Sequence, residues 1–264
     1  MHKKILFPLF ILLLFIICNS FTTKSKIGWG NRNSQLVIHF IHSVNGKPAE
    51  FNQLIYTNKA GNRYMIKELQ YFVSELTLKK NNGVLLPLNI PKGIHYVDSD
   101  LPKTSTLTIP IDTEMDSCIG LTFRFGIAKE KNKSNLFKNP PNNLMSWPDQ
   151  MGGGYHYMKL NLKYANKDGQ LSNFNCHLGL GKANDSDTAS IIDNSFGLNV
   201  TSINPIVVQT GKTTEIWLDM DIAKWFDGQY KMDMNKYDGI MDNQEAMHQF
   251  CRNGGQAFSL KTIR

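Results

Sequence analysis

The feature that most constrains the fold is a clean alternation of apolar and polar side chains along residues 155–164. Successive side chains of a β-strand point to opposite faces, so this alternation predicts a half-buried strand whose apolar face meets the core. Runs with strand character recur between turn residues along the chain, at 94–97, 105–109, 118–127, 170–178, 199–208 and 213–220. This pattern predicts an all-β fold built as an antiparallel β-sandwich.

Two regions depart from this pattern of short strands. Residues 64–79 form the longest uninterrupted run and fit either a helix or a long strand, although aromatic and β-branched residues favour strand at its end. Near the C-terminus, residues 221–226 predict a helix of one or two turns. Asp242 and Glu245 resemble a capping box for a second helix, and residues 253–255 supply its stop. We therefore expect one or two short C-terminal helices beside the sandwich.

The N-terminus has the composition of a secretory signal peptide. Lys3 and Lys4 precede an apolar run, residues 5–17, which is too short to span a membrane comfortably. Cys18 follows the apolar run directly, as a lipoprotein cysteine would, while ordinary cleavage after Ser20 also fits. The two kinds of processing remain open alternatives.

These features predict how the chain is organised. We assign residues 1–20 to a signal peptide, residues 21–34 to a polar tether and residues 35–264 to a single β-domain. The domain is expected to be exported to the periplasm or the outer membrane and cell surface, either free or lipid-anchored at Cys18. The formal net charge of +7 is spread over scattered lysines rather than a coherent basic patch, so no nucleic-acid partner is predicted.

Three cysteines follow the leader, at Cys118, Cys176 and Cys251. In an oxidising compartment an odd number allows at most one internal disulfide and leaves one thiol over, and the sequence does not identify the pair. Cys176 adjoins His177, so it is either a metal ligand or a small buried residue on a strand. With so few cysteines, the fold is expected to rest on its apolar core.

The segment 147–159 concentrates side chains that suit copper around a glycine-rich turn. It carries Trp147, the thioethers of Met151 and Met158, and the imidazole of His156. Thioether and imidazole groups are soft and borderline donors, which select copper over calcium or magnesium. The alternation points His156 inward at the end of an apolar row. Trp147 is equally well explained as a residue that covers the core, and Met151 and Met158 are better explained as packing residues than as metal ligands.

His177 is the second candidate ligand, because the turn at residues 168–169 predicts a hairpin between the strands that carry the two histidines. A two-residue loop places His177 opposite Met158 or Leu160, and either register puts it on the same face as His156. A bulged turn would shift the register by one residue and move His177 to the other face.

Other side chains extend the list of candidate ligands. His39 on the first predicted strand, together with His42, adds imidazoles that could reach the same rim. Two or three histidines with a soft ligand suit Cu(I), Cu(II) or zinc. Asp185 and Asp187 could hold calcium in their loop, but their spacing misses the EF-hand pattern and first indicates a solvated loop.

The order of these motifs resembles the MbnP-like family. The resemblance is carried by Trp147-Pro148, residues 152–160, His177-Leu178-Gly179, and residues 36–40, 56–58 with Gly61, 71–74 and 257–259. It covers most of the chain between residues 35 and 260.

The resemblance implies a function and a partner. Members of the MbnP-like family are exported β-domains associated with copper acquisition, often encoded beside a di-haem peroxidase-like cytochrome. In characterised relatives that cytochrome oxidises a tryptophan to kynurenine, and the modified residue joins histidines at a copper ion. By this resemblance Trp147 is expected to be modified, and His156 and His177 are the expected copper ligands, with His39 as a further candidate from the residues. The implied cofactors are copper and a kynurenine derived from Trp147.

Three functions are compatible with an exported β-domain. The first is a copper-binding protein of the periplasm or cell surface without turnover of its own. The second is a cell-surface domain that binds glycans or a protein, for which Tyr155 and Tyr157 are expected to be exposed. The third is a hydrolase, but the sequence lacks a Gly-x-Ser-x-Gly elbow, a His-Glu-x-x-His zinc helix and a persuasive carboxylate pair. We therefore expect a copper-binding protein rather than an enzyme.

Overall fold

The computed structural model describes residues 34–111, 115–183, 190–237 and 239–263. The predicted signal peptide, with Cys18, lies outside the described residues, as does all of the predicted tether except Ser34. The loop that carries Asp185 and Asp187 also lies outside them.

One sheet is built around the first strand, and it has five strands within the described residues. They are β1 (Ser34–Val44), β2 (Lys47–Pro48), β7 (Thr106–Ile111), β14 (Thr213–Asp221) and β15 (Phe258–Ile263). Their order is β15-β14-β1-β2, and β7 also pairs with β1. Along β1 the side chains of Leu36, Ile38 and Phe40 alternate into the core, which favours a strand here. β1 and β14 run parallel, and the other pairs are antiparallel.

The second sheet has eight strands in the part of the chain that the structure describes. They are β3 (Tyr56–Thr57), β4 (Arg63–Lys80), β5 (Leu85–Pro87), β6 (Ile94–Asp98), β8 (Met115–Phe125), β9 (Met158–Ala165), β10 (Leu171–Leu178) and β13 (Phe196–Val208). The main path is β10-β9-β4-β8-β13, with β3, β5 and β6 paired to β4. The run over residues 64–79 is therefore strand along its whole length. Glu75 has a φ of 56°, and the register with β8 shifts between Ser74 and Thr77, so a bulge bends β4 there.

The two sheets pack face to face. Phe123 of β8 and Phe258 of β15 meet with their ring centroids 5.2 Å apart. His42 of β1 forms a 3.1 Å hydrogen bond with the hydroxyl of Tyr71 on β4. The predicted all-β sandwich is therefore confirmed, and the parallel pair of β1 and β14 is an addition that local alternation does not reveal. A short ribbon of β11 (Gly181–Lys182) and β12 (Ile191–Ile192) lies apart from both sheets.

Two short helices lie toward the C-terminal end, as the sequence predicted. They are α1 (Ala223–Asp227) and α2 (Gln244–Gly254), and they meet through Trp225 and Phe250, whose ring centroids are 5.0 Å apart. The predicted capping box at Asp242 is wrong by one residue, because Asn243 is the N-cap and its side chain accepts a hydrogen bond from the Ala246 N–H. Among the described residues, no helix is long and apolar enough to cross a membrane.

Of the three cysteines after the leader, Cys176 and Cys251 are free thiols in the structure. Cys118 and Cys176 are buried, and Cys251 is partly buried. Along β10 the side chain of Cys176 alternates with that of His177 and points into the core. Burial raises the pKa of the Cys176 thiol well above its ordinary value, which keeps it protonated. Of the two alternatives for Cys176, the structure supports the buried residue rather than the metal ligand.

Candidate metal centre

The hairpin that brings the two candidate histidines together has a three-residue loop rather than the expected two. The N–H of Asn166 donates to the carbonyl of Gln170 at 2.9 Å, and Gly169 adopts a φ of 76°. The register therefore places His177 opposite Lys159, not opposite Met158 or Leu160. This bulged turn moves His177 to the outward face of the sheet, which it shares with Lys159.

His156 reaches the same outward face because the backbone leaves strand geometry just before β9 begins. The N–H of His156 donates to the carbonyl of Met145 at 2.7 Å. The N–H of Tyr157 donates to the carbonyl of Leu178 at 2.7 Å, which lies one residue away from the register of the hairpin. The rings of His156 and His177 meet edge to face, with centroids 5.1 Å apart. Two one-residue departures from the predicted geometry thus cancel, and the imidazoles lie together.

The carbonyl of Met145 also fixes the orientation of the His156 ring. Nδ1 of His156 lies 3.0 Å from that oxygen. Because a carbonyl only accepts hydrogen bonds, Nδ1 carries the proton and Nε2 keeps its lone pair. The side chain is only 6% exposed, and this burial lowers the pKa of His156 to about 3. The imidazole is therefore neutral near pH 7, the form that binds metal ions.

His177 is oriented by a relay of two polar side chains. Its Nε2 lies 2.8 Å from Oδ1 of Asn161, and Nδ2 of Asn161 donates to Oε2 of Glu68 at 2.6 Å. The carboxylate fixes the amide so that Oδ1 accepts the Nε2 proton, which leaves the lone pair on Nδ1 of His177. Burial, followed by the charge of Lys159, lowers the pKa of His177 to about 4. Both imidazoles thus present an unprotonated nitrogen.

The sequence interpretation missed the residues that orient the two histidines. Asn161 shares the alternating face of Lys159, so a bulged hairpin would have placed it beside His177. Glu68 lies opposite Asn161 in the pairing of β4 with β9, and no local pattern predicts that pairing. The Met145 carbonyl belongs to a loop, where backbone direction is not encoded by side-chain alternation.

Trp147 forms one wall of the site. Its ring meets that of His156 edge to face, with centroids 4.7 Å apart, and its Nε1 donates to the Met151 carbonyl at 3.2 Å. The side chain is 3% exposed. A Cβ on Gly179 would lie 2.5 Å from the indole, so only glycine lets the ring pack against this part of the chain. Trp147 therefore both caps the outer face of the sheet and contacts the candidate ligand.

The glycine run has a backbone role. Gly152, Gly153 and Gly154 adopt φ values of 108°, 67° and 83°, a left-handed region that favours glycine at each position. The turn brings the Gly154 carbonyl back to accept the N–H of Trp147 at 2.9 Å. The run thus places the indole and His156 on the same side of one loop.

The two tyrosines expected to be exposed are buried, which is a correction to the sequence analysis. Tyr155 is 1% exposed and accepts the N–H of Phe137 at 2.8 Å, while Tyr157 donates to Oδ1 of Asp193 at 2.9 Å. The change of backbone direction before β9 explains the difference, because neither side chain follows the alternation of the strand. These tyrosines therefore offer no surface for a glycan.

The structure does not bring His39 to the histidine pair. His39 lies on β1 in the five-stranded sheet, with Nε2 2.9 Å from Oε2 of Glu215 and its ring stacked on Trp217 at 4.7 Å. His42 instead faces the core and bonds to Tyr71. Within the described ranges, no group of three or more His, Cys, Asp or Glu side chains could hold a metal ion. The candidate centre is thus a pair of imidazoles beside an indole.

Comparison with known proteins gives the family. A family model described as MbnP matches residues 33–245. Among solved structures, the chain is similar to MbnP from Methylosinus trichosporium, with a TM-score of 0.51, 16% sequence identity, and coverage of 77% of this chain and 80% of that chain. At this identity, the structural similarity shows a shared fold. No protein with a curated description matches. Because the family model covers well over half of the sequence, the chain belongs to the MbnP family.

Proposed function

We propose that the protein is an exported copper-binding protein that acts in copper acquisition or storage and has no turnover of its own. The observation that carries the proposal is the pairing of the buried imidazole of His156 with the partly buried imidazole of His177, whose ring centroids lie 5.1 Å apart. Membership of the MbnP family supports a link to copper. The leader supports export to the periplasm or cell surface, with a lipid anchor at Cys18 or cleavage after Ser20 as the two routes of maturation.

The donor set fits copper. Each imidazole has one nitrogen committed to a protein hydrogen bond and the other available, as in most histidine ligands of metals. Neutral imidazoles suit both copper oxidation states. Lys159 donates to the Leu144 carbonyl at 2.8 Å and places a positive charge nearby, so the affinity must come from coordination rather than from a negative potential.

The proposal includes modification of Trp147 because the modified side chain would supply a third metal ligand beside the two histidines. The indole nitrogen has no free lone pair, and its proton is engaged by Met151. Oxidative opening of the ring to kynurenine creates an aromatic amine and a ketone, both of which can donate to a metal. A di-haem peroxidase-like cytochrome is the proposed oxidising partner, in keeping with the family resemblance. The modification would turn the wall beside His156 into a ligand.

Copper competition titrations test the site. We would express the full chain in a host that exports it, remove metal with a chelator, and titrate Cu(I) against a chromophoric competitor. His156→Ala and His177→Ala should each weaken binding by at least ~10-fold, since each removes a ligand rather than a supporting group. His39→Ala is the matched control and should bind as the wild type. Wild-type affinity in His156→Ala would reject the assignment.

Mass spectrometry tests the modification. Co-expression with a di-haem partner should add the mass change of a tryptophan-to-kynurenine conversion to the peptide that contains Trp147, and to no peptide with another tryptophan. A Trp147→Phe variant should lose that change. An unmodified Trp147 in protein purified from cells that contain the partner would remove kynurenine from the ligand set.

A further inference from the structure

Two adjoining clefts extend from the His177 side of the candidate centre. One, of about 530 Å³, is lined by His177, Met241 and Asp242 among other residues. The second, of about 310 Å³, is lined by Met151, Met241, Asp242 and Lys182 among others. Because Met241 and Asp242 line both, the clefts adjoin and form one groove, which runs from His177 to Met151. We call this the methionine groove.

The two methionines of the groove differ from most others in the described chain. Six methionines are at most 1% exposed and fill the core: Met145, Met158, Met220, Met232, Met234 and Met247. Met151 and Met241 are only partly buried. Packing explains the six, whereas a partly exposed thioether on a groove wall can also meet a solute.

The chemistry of the groove suits a soft cation. Thioether sulfur is a soft, uncharged donor that selects Cu(I) over hard cations. The carboxylate of Asp242 borders both clefts, but Lys182 borders one and Lys236 the other, so selection of a soft cation rests on the thioethers rather than on charge. The backbone of Met151 is already tied to the site, because its carbonyl accepts the Trp147 Nε1–H at 3.2 Å. One end of the groove is thus fixed to the indole and the other opens on His177.

We propose that the methionine groove is an access path for Cu(I), in which the thioethers of Met151 and Met241 bind the ion in turn and pass it to His177. The inference rests on the proposed function, because it assumes that the histidine pair is the destination. Each transfer is a ligand exchange, in which one metal–sulfur bond breaks as the next metal–ligand bond forms. The ion keeps its oxidation state, and no proton is released, since thioethers and neutral imidazoles bind through lone pairs.

Silver(I) provides a diamagnetic probe of the groove. In the full exported chain labelled with ¹³C at the methionine methyls, Ag(I) should shift the resonances of Met241 and Met151, assigned with Met241→Leu and Met151→Leu. Met65 is partly buried on β4 and does not line the groove, so its methyl is the internal control. The Met241 shift should persist in a His156→Ala/His177→Ala double variant. If the methyl resonances of Met151 and Met241 did not shift on addition of Ag(I), the proposal would be overturned.

The rate of copper loading is the second measurement. Leucine nearly conserves the volume of methionine, so Met241→Leu should fold while losing the sulfur. We expect it to slow Cu(I) loading of the histidine pair severalfold, with equilibrium affinity little changed, whereas Met65→Leu should load as the wild type does. Wild-type loading by Met241→Leu would refute the path even where His156→Ala abolishes binding. If His156→Ala left copper binding intact, the proposed function would fail instead, and the silver shifts would still decide whether the groove binds a soft cation.

Discussion

Gly179 provides the sharpest test of how Trp147 is held at the site. A Cβ built on Gly179 would lie 2.5 Å from Cδ2 of the indole and 2.6 Å from Cε2 and Cε3. Optimal separations between non-bonded carbon atoms are about 3.5–4.0 Å, so the ring would have to move by about 1 Å or more. The backbone of Gly179 does not lie in the left-handed region, so a Gly179→Ala substitution perturbs the protein only through the added methyl group.

The indole has little room to retreat. It is 3% exposed, its Nε1 donates a hydrogen bond to the Met151 carbonyl, and its ring meets that of His156 edge to face. Overpacking of a closed site costs about 1–3 kcal/mol, and we expect Gly179→Ala to lose that much stability. Because the displaced ring must push on His156 or open the loop, copper affinity should fall as well.

Gly197 supplies the control, since its backbone likewise lies outside the left-handed region but it has nothing within 4 Å of a built Cβ. There, alanine should stabilise the protein by about 0.4–1 kcal/mol through the unfolded chain. Urea unfolding of the two metal-free variants should therefore give changes of opposite sign. Equal stability of Gly179→Ala and Gly197→Ala would show that Trp147 does not pack against Gly179, and the account of the indole wall would be wrong.

Three further predictions test separate parts of the structure. Asn161→Ala removes the acceptor that orients His177, so copper affinity should fall by ~10–100-fold in a competition titration; unchanged affinity would show that the relay is not needed. Burial sets the pKa of His156 at about 3, against 6.5 when exposed, so the unfolded chain binds the extra proton first as the pH falls. The contribution of neutral His156 to the free energy of unfolding is fully present above about pH 6.5 and should fall by ~2 kcal/mol at about pH 5. Urea unfolding of metal-free His156→Gln should show a decline that is smaller by this amount, because His177 and His42, whose pKa values are lowered to about 4, still contribute theirs. The same pH dependence in both proteins would contradict the burial argument. Asn243→Ala should cost ~1 kcal/mol in thermal unfolding because it removes the N-cap of α2, whereas Asp242→Ala should not, and the reverse order would place the cap at Asp242.

Local alternation predicted the strands well because it is a property of each strand by itself. The runs at 94–97, 105–109 and 213–220 correspond to β6, β7 and β14 to within a few residues. The long run at 64–79 was ambiguous from the sequence because β4 is long enough to bulge, and the left-handed Glu75 breaks its alternation. The parallel pairing of β1 with β14 joins strands far apart in the chain, so no local pattern predicts it.

Register was harder to predict, because it depends on single residues. The turn at 168–169 was placed correctly, but the loop is one residue longer than expected, and this flips the face of His177. The departure of the backbone at His156 depends on the Met145 carbonyl, which sequence alternation cannot reveal. The sequence therefore predicted the meeting of the two histidines, while both steps of the geometric argument for it were wrong.

The outward position of the histidine pair separates the candidate metal centre from the packing of the core. On β10, His177 faces outward while its neighbours Cys176 and Leu178 are buried on the other side, so the strand is held without the imidazole. The opposite half of the site, His156 with Trp147, is fixed by backbone hydrogen bonds of one loop rather than by a strand. A strand thus carries one candidate ligand and a glycine-dependent loop carries the other. Affinity should respond to changes in either half, whereas stability should respond mainly where the loop packs on the sheet. This difference is what makes Asn161→Ala and Gly179→Ala independent tests of the same centre.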